Sequence, residues 1–142
     1  MKKVYKVSDI LKVVFPSYEE ENGSLLVMEG GDIVPFEIAR VFVVNADIGA
    51  VRGNHAHFEC FQLLQCNQGS ISVRCNDGDK SVDFSLDKPN QGLLIPPGIW
   101  ATQTYKNNNS TLIVFCDQPF SETDYLRDYD EYIRYREKLI SF

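Results

Sequence analysis

The sequence is poor in histidine and has no excess of positive charge. Its 142 residues contain two histidines and one tryptophan, and 14 Lys and Arg stand against 20 Asp and Glu, for a net charge of −6. A duplex nucleic acid is usually met by a basic face, so such a partner is not expected. No apolar run approaches the length of a membrane span. The opening Met1–Lys6 stretch turns polar again by Ser8 and Asp9, so no signal peptide is expected either. The four cysteines, Cys60, Cys66, Cys75 and Cys116, form no CxxC pair. That spacing argues for buried, reduced thiols in a cytoplasmic protein rather than a zinc or redox motif. There is no GxGxxG, no P-loop and no GxSxG elbow, so the common nucleotide and hydrolase machineries are absent. No linker or repeat interrupts the chain, and a single domain over residues 1–142 is expected. A chain of this length can bury a core without disulfides or metals.

What is present is a series of short β-branched and aromatic runs separated by turn residues. Ala39–Val44, Phe58–Cys66, Ile71–Cys75, Val82–Leu86, Gly92–Ile95, Ala101–Tyr105 and Thr111–Phe115 read as strands. Asn76-Asp77-Gly78-Asp79 predicts a hairpin turn. Strands at this spacing predict an all-β sandwich or barrel. Ser8–Val14 is open to a short helix or a strand, and Gly23–Glu29 reads as an early strand. In the tail, Ser121-Glu122-Thr123-Asp124 has the form of a helix N-cap. Tyr125, Tyr129, Tyr132, Ile133 and Arg136 follow at helical spacing, predicting a terminal helix whose tyrosines pack on the barrel.

The two histidines fall together in Arg52-Gly53-Asn54-His55-Ala56-His57. On an extended strand, residues i and i+2 share a face, so both imidazoles enter one space. Histidine is the usual general acid or base near neutral pH. Two such groups beside a ketone can move it by one carbon through an enediol, with no redox cofactor. The spacing Gly49, five residues, His55-x-His57, four residues, Gln62, six residues, Gly69 resembles the first cupin motif. Pro96-Pro97-Gly98-Ile99-Trp100 resembles part of the second. Metal-binding cupins place a Glu at the position of Gln62 and a His at that of Ala101. With an amide and a methyl there, the donor set is too small for a divalent metal. We expect no metal, no cofactor, and activity in the presence of EDTA.

Arg52-Gly-Asn-His55-Ala-His57, Gln62, Pro97-x-x-Trp100 and the Glu122–Asp130 tail together resemble the dTDP-4-keto-6-deoxyglucose 3,4-ketoisomerases over nearly the whole chain. The resemblance implies a cupin-type β-barrel, or jelly roll, with a C-terminal helix. It implies a homodimer with exchanged N-terminal strands and a dTDP-sugar substrate with a 4-keto-6-deoxy sugar. The 3-keto product would feed 3-amino-3,6-dideoxy sugar biosynthesis for surface polysaccharides. His55 and His57 match the active-site pair, Arg52 and Arg40 match arginines near the sugar or diphosphate. Family members carry one or two tyrosines after the latter arginine, where this chain has Phe42 and Val43. Close relatives often keep a His where it has Ala101.

Gln62 is open to two roles, binding substrate or orienting a histidine. Trp100 and Arg74 complete the candidate binding set, although an indole is more often core and a strand arginine more often solvated. We assign His57 as the base at C3 and His55 as the proton donor at C4. Two other functions fit the same residues: a non-catalytic sugar-nucleotide-binding cupin, and a sugar-nucleotide 3,5-epimerase. The epimerase's usual companions, a longer chain and a His–Asp pair with a facing Tyr, are not evident in the sequence.

Overall fold

The structure, a computed structural model, describes residues 3–140. Twelve strands are present among them: β1 Leu11–Val14, β2 Ser17–Glu20, β3 Gly23–Leu26, β4 Arg40–Ala46, β5 Val51–His57, β6 Gln62–Gln68, β7 Ile71–Asn76, β8 Ser81–Leu86, β9 Gln91–Ile95, β10 Trp100–Tyr105, β11 Ser110–Cys116 and β12 Tyr125–Leu126. One helix, α1 Tyr129–Ile140, closes the chain. The strands form two five-stranded sheets, β1-β9-β6-β11-β4 and β12-β5-β10-β7-β8, with β2 and β3 as a separate pair. This is the jelly-roll barrel the sequence predicts. Among the described residues, no helix is long and apolar enough to cross a membrane.

Alternation decides what goes inside. Leu64 and Cys66 on β6, Val73 and Cys75 on β7, Tyr105 on β10, and Leu112 and Val114 on β11 are buried in one cluster between the sheets. The β7–β8 hairpin pairs Asn76 with Ser81, as its turn residues predict. Asp77 fixes that turn, accepting from Asp79 N and Lys80 N, and also ties in Val7 N at 2.9 Å. Ser8–Val14 divides between a 3₁₀ turn at Val7–Asp9 and strand β1.

The tail differs from the expectation in one respect. Ser121 precedes a three-residue 3₁₀ turn, Glu122–Asp124, and not α1. The chain then runs extended through β12, which pairs with β5, Tyr125 opposite His57. The helix starts four residues later, where Asp128 Oδ1 accepts from Glu131 N at 3.0 Å. The reason is tertiary: Asp124 is held by Phe58 N and Glu59 N. Strand Phe58–Cys66 likewise begins at Gln62, because Phe58 N and Glu59 N bond to Asp124 and Phe61 N to Asp117 Oδ1. Tyr132 and Arg136 on α1 are buried as their spacing predicts, bonding to Gly98 O at 2.7 and 3.1 Å.

Candidate active site

Strict alternation along β5 would put His55 and His57 on one face and Arg52 on the other. The backbone breaks that alternation. Gly53 and Asn54 take φ of 85° and 55°, and the register with β10 shifts at the same point. His55 lies opposite Ala101, Gly53 opposite Thr102 and Arg52 opposite Gln103. This β-bulge absorbs one residue and returns Arg52 to the inner face. Arg52, His55, Gln62, Gln103, Tyr105 and Phe42 then line one cavity. Glycine is required at 53 twice over. Its φ disfavours a side chain, and a Cβ would lie 2.7 Å from Gln103 Oε1 and 3.0 Å from Ala101 O. Asn54 tolerates the left-handed conformation, and its Oδ1 accepts from Thr102 Oγ1.

The two imidazoles stand nearly perpendicular, with centroids 5.0 Å apart. His57 Nδ1 lies 2.9 Å from Asp124 Oδ2. The other oxygen of that carboxylate accepts from Glu59 N at 2.7 Å. A carboxylate can only accept, so Nδ1 carries the proton and Nε2 keeps its lone pair. His57 Nε2 and His55 Nδ1 are buried and have no hydrogen-bond partner within the described residues. Burial depresses the titration of both rings. His55 is pushed down to about 4 by desolvation, then by His57 and Arg127. His57 is lowered by desolvation, against which the bond to Asp124 raises it, while Arg40 and Arg127 lower it further. Both rings are therefore neutral at neutral pH, in the form that can accept a proton.

Tyr125 completes the cluster, and the sequence reading missed it by assigning the tail tyrosines to helix packing. Its ring lies 5.2 Å from that of His55 and 4.4 Å from that of His57. Phe42 occupies the inner face of β4, whereas Val43 points outward and is exposed. A tyrosine ring thus stands against the histidines from β12 rather than from β4, with its hydroxyl toward Arg40. Arg40 lies on the inner face of β4. It interacts with Tyr125, and its Nη2 lies 3.5 Å from Cys116 Sγ. Gln62 lines the cavity, and its amide donates to Cys116 Sγ at 3.5 Å rather than to an imidazole. Asp124 was also missed. The His–Asp pair with a neighbouring Tyr, not evident in the sequence, is present in the fold.

Two candidate binding residues lie elsewhere. Arg74 points out of the barrel, because Val73 and Cys75 take the inner face of β7, and it pairs with Asp83 in solvent. Trp100 is outward on β10 and buried beneath the tail, in a cluster with Ala56, Leu126 and Tyr132. His55, His57, Gln62 and Ala101 stand at the positions of the cupin metal ligands, and of these His55 and Gln62 line the cavity, a poor donor set. A separate group, His57, Cys60 and Asp124, brings one donor atom each within 4.8 Å of one another. All four cysteines are free thiols.

Residues 4–137 match the family FdtA: WxcM-like, C-terminal. The chain is 32% identical over 135 residues, 94% of each chain, to the TDP-4-oxo-6-deoxy-α-D-glucose-3,4-oxoisomerase of Aneurinibacillus thermoaerophilus. The crystal structure of QdtA, a sugar 3,4-ketoisomerase from Thermoanaerobacterium thermosaccharolyticum in complex with TDP, superimposes with a TM-score of 0.90 at 30% identity. That match covers 96% of this chain and all of QdtA. ChmJ, a 3'-monoepimerase from Streptomyces bikiniensis, shares the fold at 15% identity and a TM-score of 0.75, and the match covers 83% of this chain and 68% of ChmJ. Sequence and fold agree: the chain belongs to the FdtA, or WxcM-like C-terminal, family of sugar 3,4-ketoisomerases and is an isomerase.

Proposed function

We propose that this single cupin-type domain converts a TDP-linked 4-keto-6-deoxy sugar to its 3-keto isomer by proton transfer through His57 and His55. The observation that carries the reading is the pair of neutral imidazoles, His57 buried and anchored by Asp124 and His55 half-buried, each with a buried ring nitrogen left unpartnered. His57 Nε2 takes the proton from C3, and the C–H electron pair forms the C3=C4 bond as the carbonyl oxygen on C4 becomes anionic. Asp124 stabilises the imidazolium. That imidazolium returns its proton to the oxygen on C4, giving the enediol. His55 then takes the hydroxyl proton on C3 and delivers it to C4, leaving the ketone at C3. Both rings end as they began. Arg40 and Arg52 offer positive charge to the enediolate or the diphosphate, and the Tyr125 hydroxyl offers a further donor.

The 3-keto product suits an aminotransferase that makes 3-amino-3,6-dideoxy sugars. A cytoplasmic homodimer fits this role. The His–Asp pair does not separate isomerase from epimerase, but the likeness does, since the chain is 32% and 30% identical to 3,4-ketoisomerases over nearly its whole length. The test is incubation with TDP-4-keto-6-deoxyglucose in deuterated water. Isomerisation moves the ketone and labels the product at the new C4–H, epimerisation exchanges C5, and a non-catalytic binder does neither. His57→Asn should abolish both isomerisation and C3 exchange. His55→Asn should spare more exchange than isomerisation, because the enediol still forms and collapses backward. Equal loss of exchange in both variants sinks the division of roles, and full activity in the double variant sinks the mechanism.

A further inference from the structure

We propose that His57, Cys60 and Asp124 form a binding site for a thiophilic divalent cation such as zinc, and that filling it switches the isomerase off. This group is distinct from the cupin metal position. It shares His57 but draws its other two donors from the loop before β6 and from the tail. Imidazole, thiolate and carboxylate are the donors that zinc and cobalt select, and three protein ligands with one open position is a stable arrangement for both. Metal–ligand bonds of about 2.0–2.3 Å set donor separations near 3.3–3.8 Å in a tetrahedron. Here His57 Nδ1 and Asp124 Oδ2 are 2.9 Å apart, and the three donors lie within 4.8 Å of one another. Small side-chain rotations bring them to a common centre.

A route of entry is present. His57 and Cys60 are almost fully buried. Asp124, however, also lines an outer cleft with Phe58, Glu59 and Thr123. A cation arriving there meets the carboxylates of Glu59 and Asp124 first, and the Cys60 thiol must give up its bond to Phe61 O to join them.

The consequence for catalysis follows from the tautomer. With the ion on Nδ1, the ring proton moves to Nε2, and the lone pair that would take the C3 proton is gone. Cys60 releases its proton to solvent as the Sγ–metal bond forms. Asp124 exchanges its hydrogen bond to His57 for the metal. A magnesium ion, which prefers oxygen donors in an octahedron, does not suit this set. The site itself stands whether or not the isomerase reading is right; only the inhibition rests on that reading.

The protein, stripped with EDTA and dialysed, is titrated with Co²⁺ and then with competing Zn²⁺. The expected result is a thiolate-to-cobalt charge-transfer band in the near ultraviolet with intense tetrahedral visible bands, both removed by zinc. Cys60→Ser should lose the charge-transfer band and weaken binding by about tenfold or more, while Cys75→Ser keeps both. In ¹⁵N spectra of the wild-type protein, zinc should shift the His57 ring to metal-bound Nδ1 and protonated Nε2. Ketoisomerase activity should fall along the same titration, return with EDTA, and ignore Mg²⁺. Absence of the cobalt–thiolate band in wild type, or an unmoved His57 ring, overturns the site even if the variant fails to fold. A band with undiminished turnover overturns the inhibition. A protein that never turns over the sugar but still gives the band refutes the isomerase reading and leaves the site standing.

Discussion

Asp124 separates the roles of two otherwise similar rings. Both histidines are neutral and pressed into low dielectric, but only His57 has a carboxylate to hold its tautomer and stabilise its charged form. Replacing Asp124 with Asn keeps the shape and removes that stabilisation. Turnover should fall by about 10²-fold or more, and proton exchange at C3 should fall with it. The acid limb of kcat/KM in the wild-type enzyme should lie below the ordinary histidine pKa, because both rings are depressed. In Asp124→Asn it should move lower still, since the group that raises His57 is gone. An unchanged limb in that variant would count against Asp124 as the partner of the base. The histidine pair was legible because i and i+2 share a strand face. Asp124 was not, since it sits 67 residues away and its acidic neighbourhood has the form of a helix cap.

Two elements aim these side chains, and they differ in how well local sequence announces them. The strands were legible from their β-branched runs, because alternate burial between two sheets selects those residues. The bulge at Gly53-Asn54 was not, although without it Arg52 would face outward like Arg74. Gly53→Ala should therefore act at two levels. Its φ of 85° and the 2.7 Å approach to Gln103 Oε1 should cost about 1–3 kcal/mol of stability. Regular pairing would also turn Arg52 away from His55. The expected outcome is a folded protein with a lowered melting temperature and a raised KM; wild-type values of both would show that the bulge positions nothing. The tail shows the same limit. Tyr125 falls on the helical repeat of its neighbours, yet pairing between β12 and β5 takes it out of the helix and sets it against the histidines. Helical spacing is a local property, and a two-residue strand made by tertiary hydrogen bonds overrides it.

At the scale of the molecule, the neutral, desolvated histidines tie stability to pH. The unfolded chain protonates them near 6.5, whereas folding pushes His55 to about 4 and lowers His57. Between those values the unfolded chain binds protons that the folded one refuses. Stability should therefore fall as pH drops from about 6.5 toward 4, and His55→Asn should flatten that slope in a melting-temperature series. Association is the second molecular property, and the β2–β3 hairpin argues for it. An isolated two-stranded hairpin is marginal in water, and among the described residues β2 and β3 pair only with each other. It holds Tyr18 and Leu25 exposed, and Leu11 and Val14 on β1 and Val41 and Val43 on β4 are exposed too. Unpaired strand edges carrying apolar side chains invite a second copy. Within the chain, β1 pairs with β9, so the segment free to cross to a partner is the hairpin beyond Pro16. The expected state is a homodimer with exchanged hairpins, and light scattering at micromolar concentration should return twice the chain mass. Tyr18→Glu with Leu25→Glu should shift that mass toward the monomer without disturbing the histidine signals of the barrel. A wild-type monomer would refute the dimer. A dimer that survives both charges would place the interface on β4 instead.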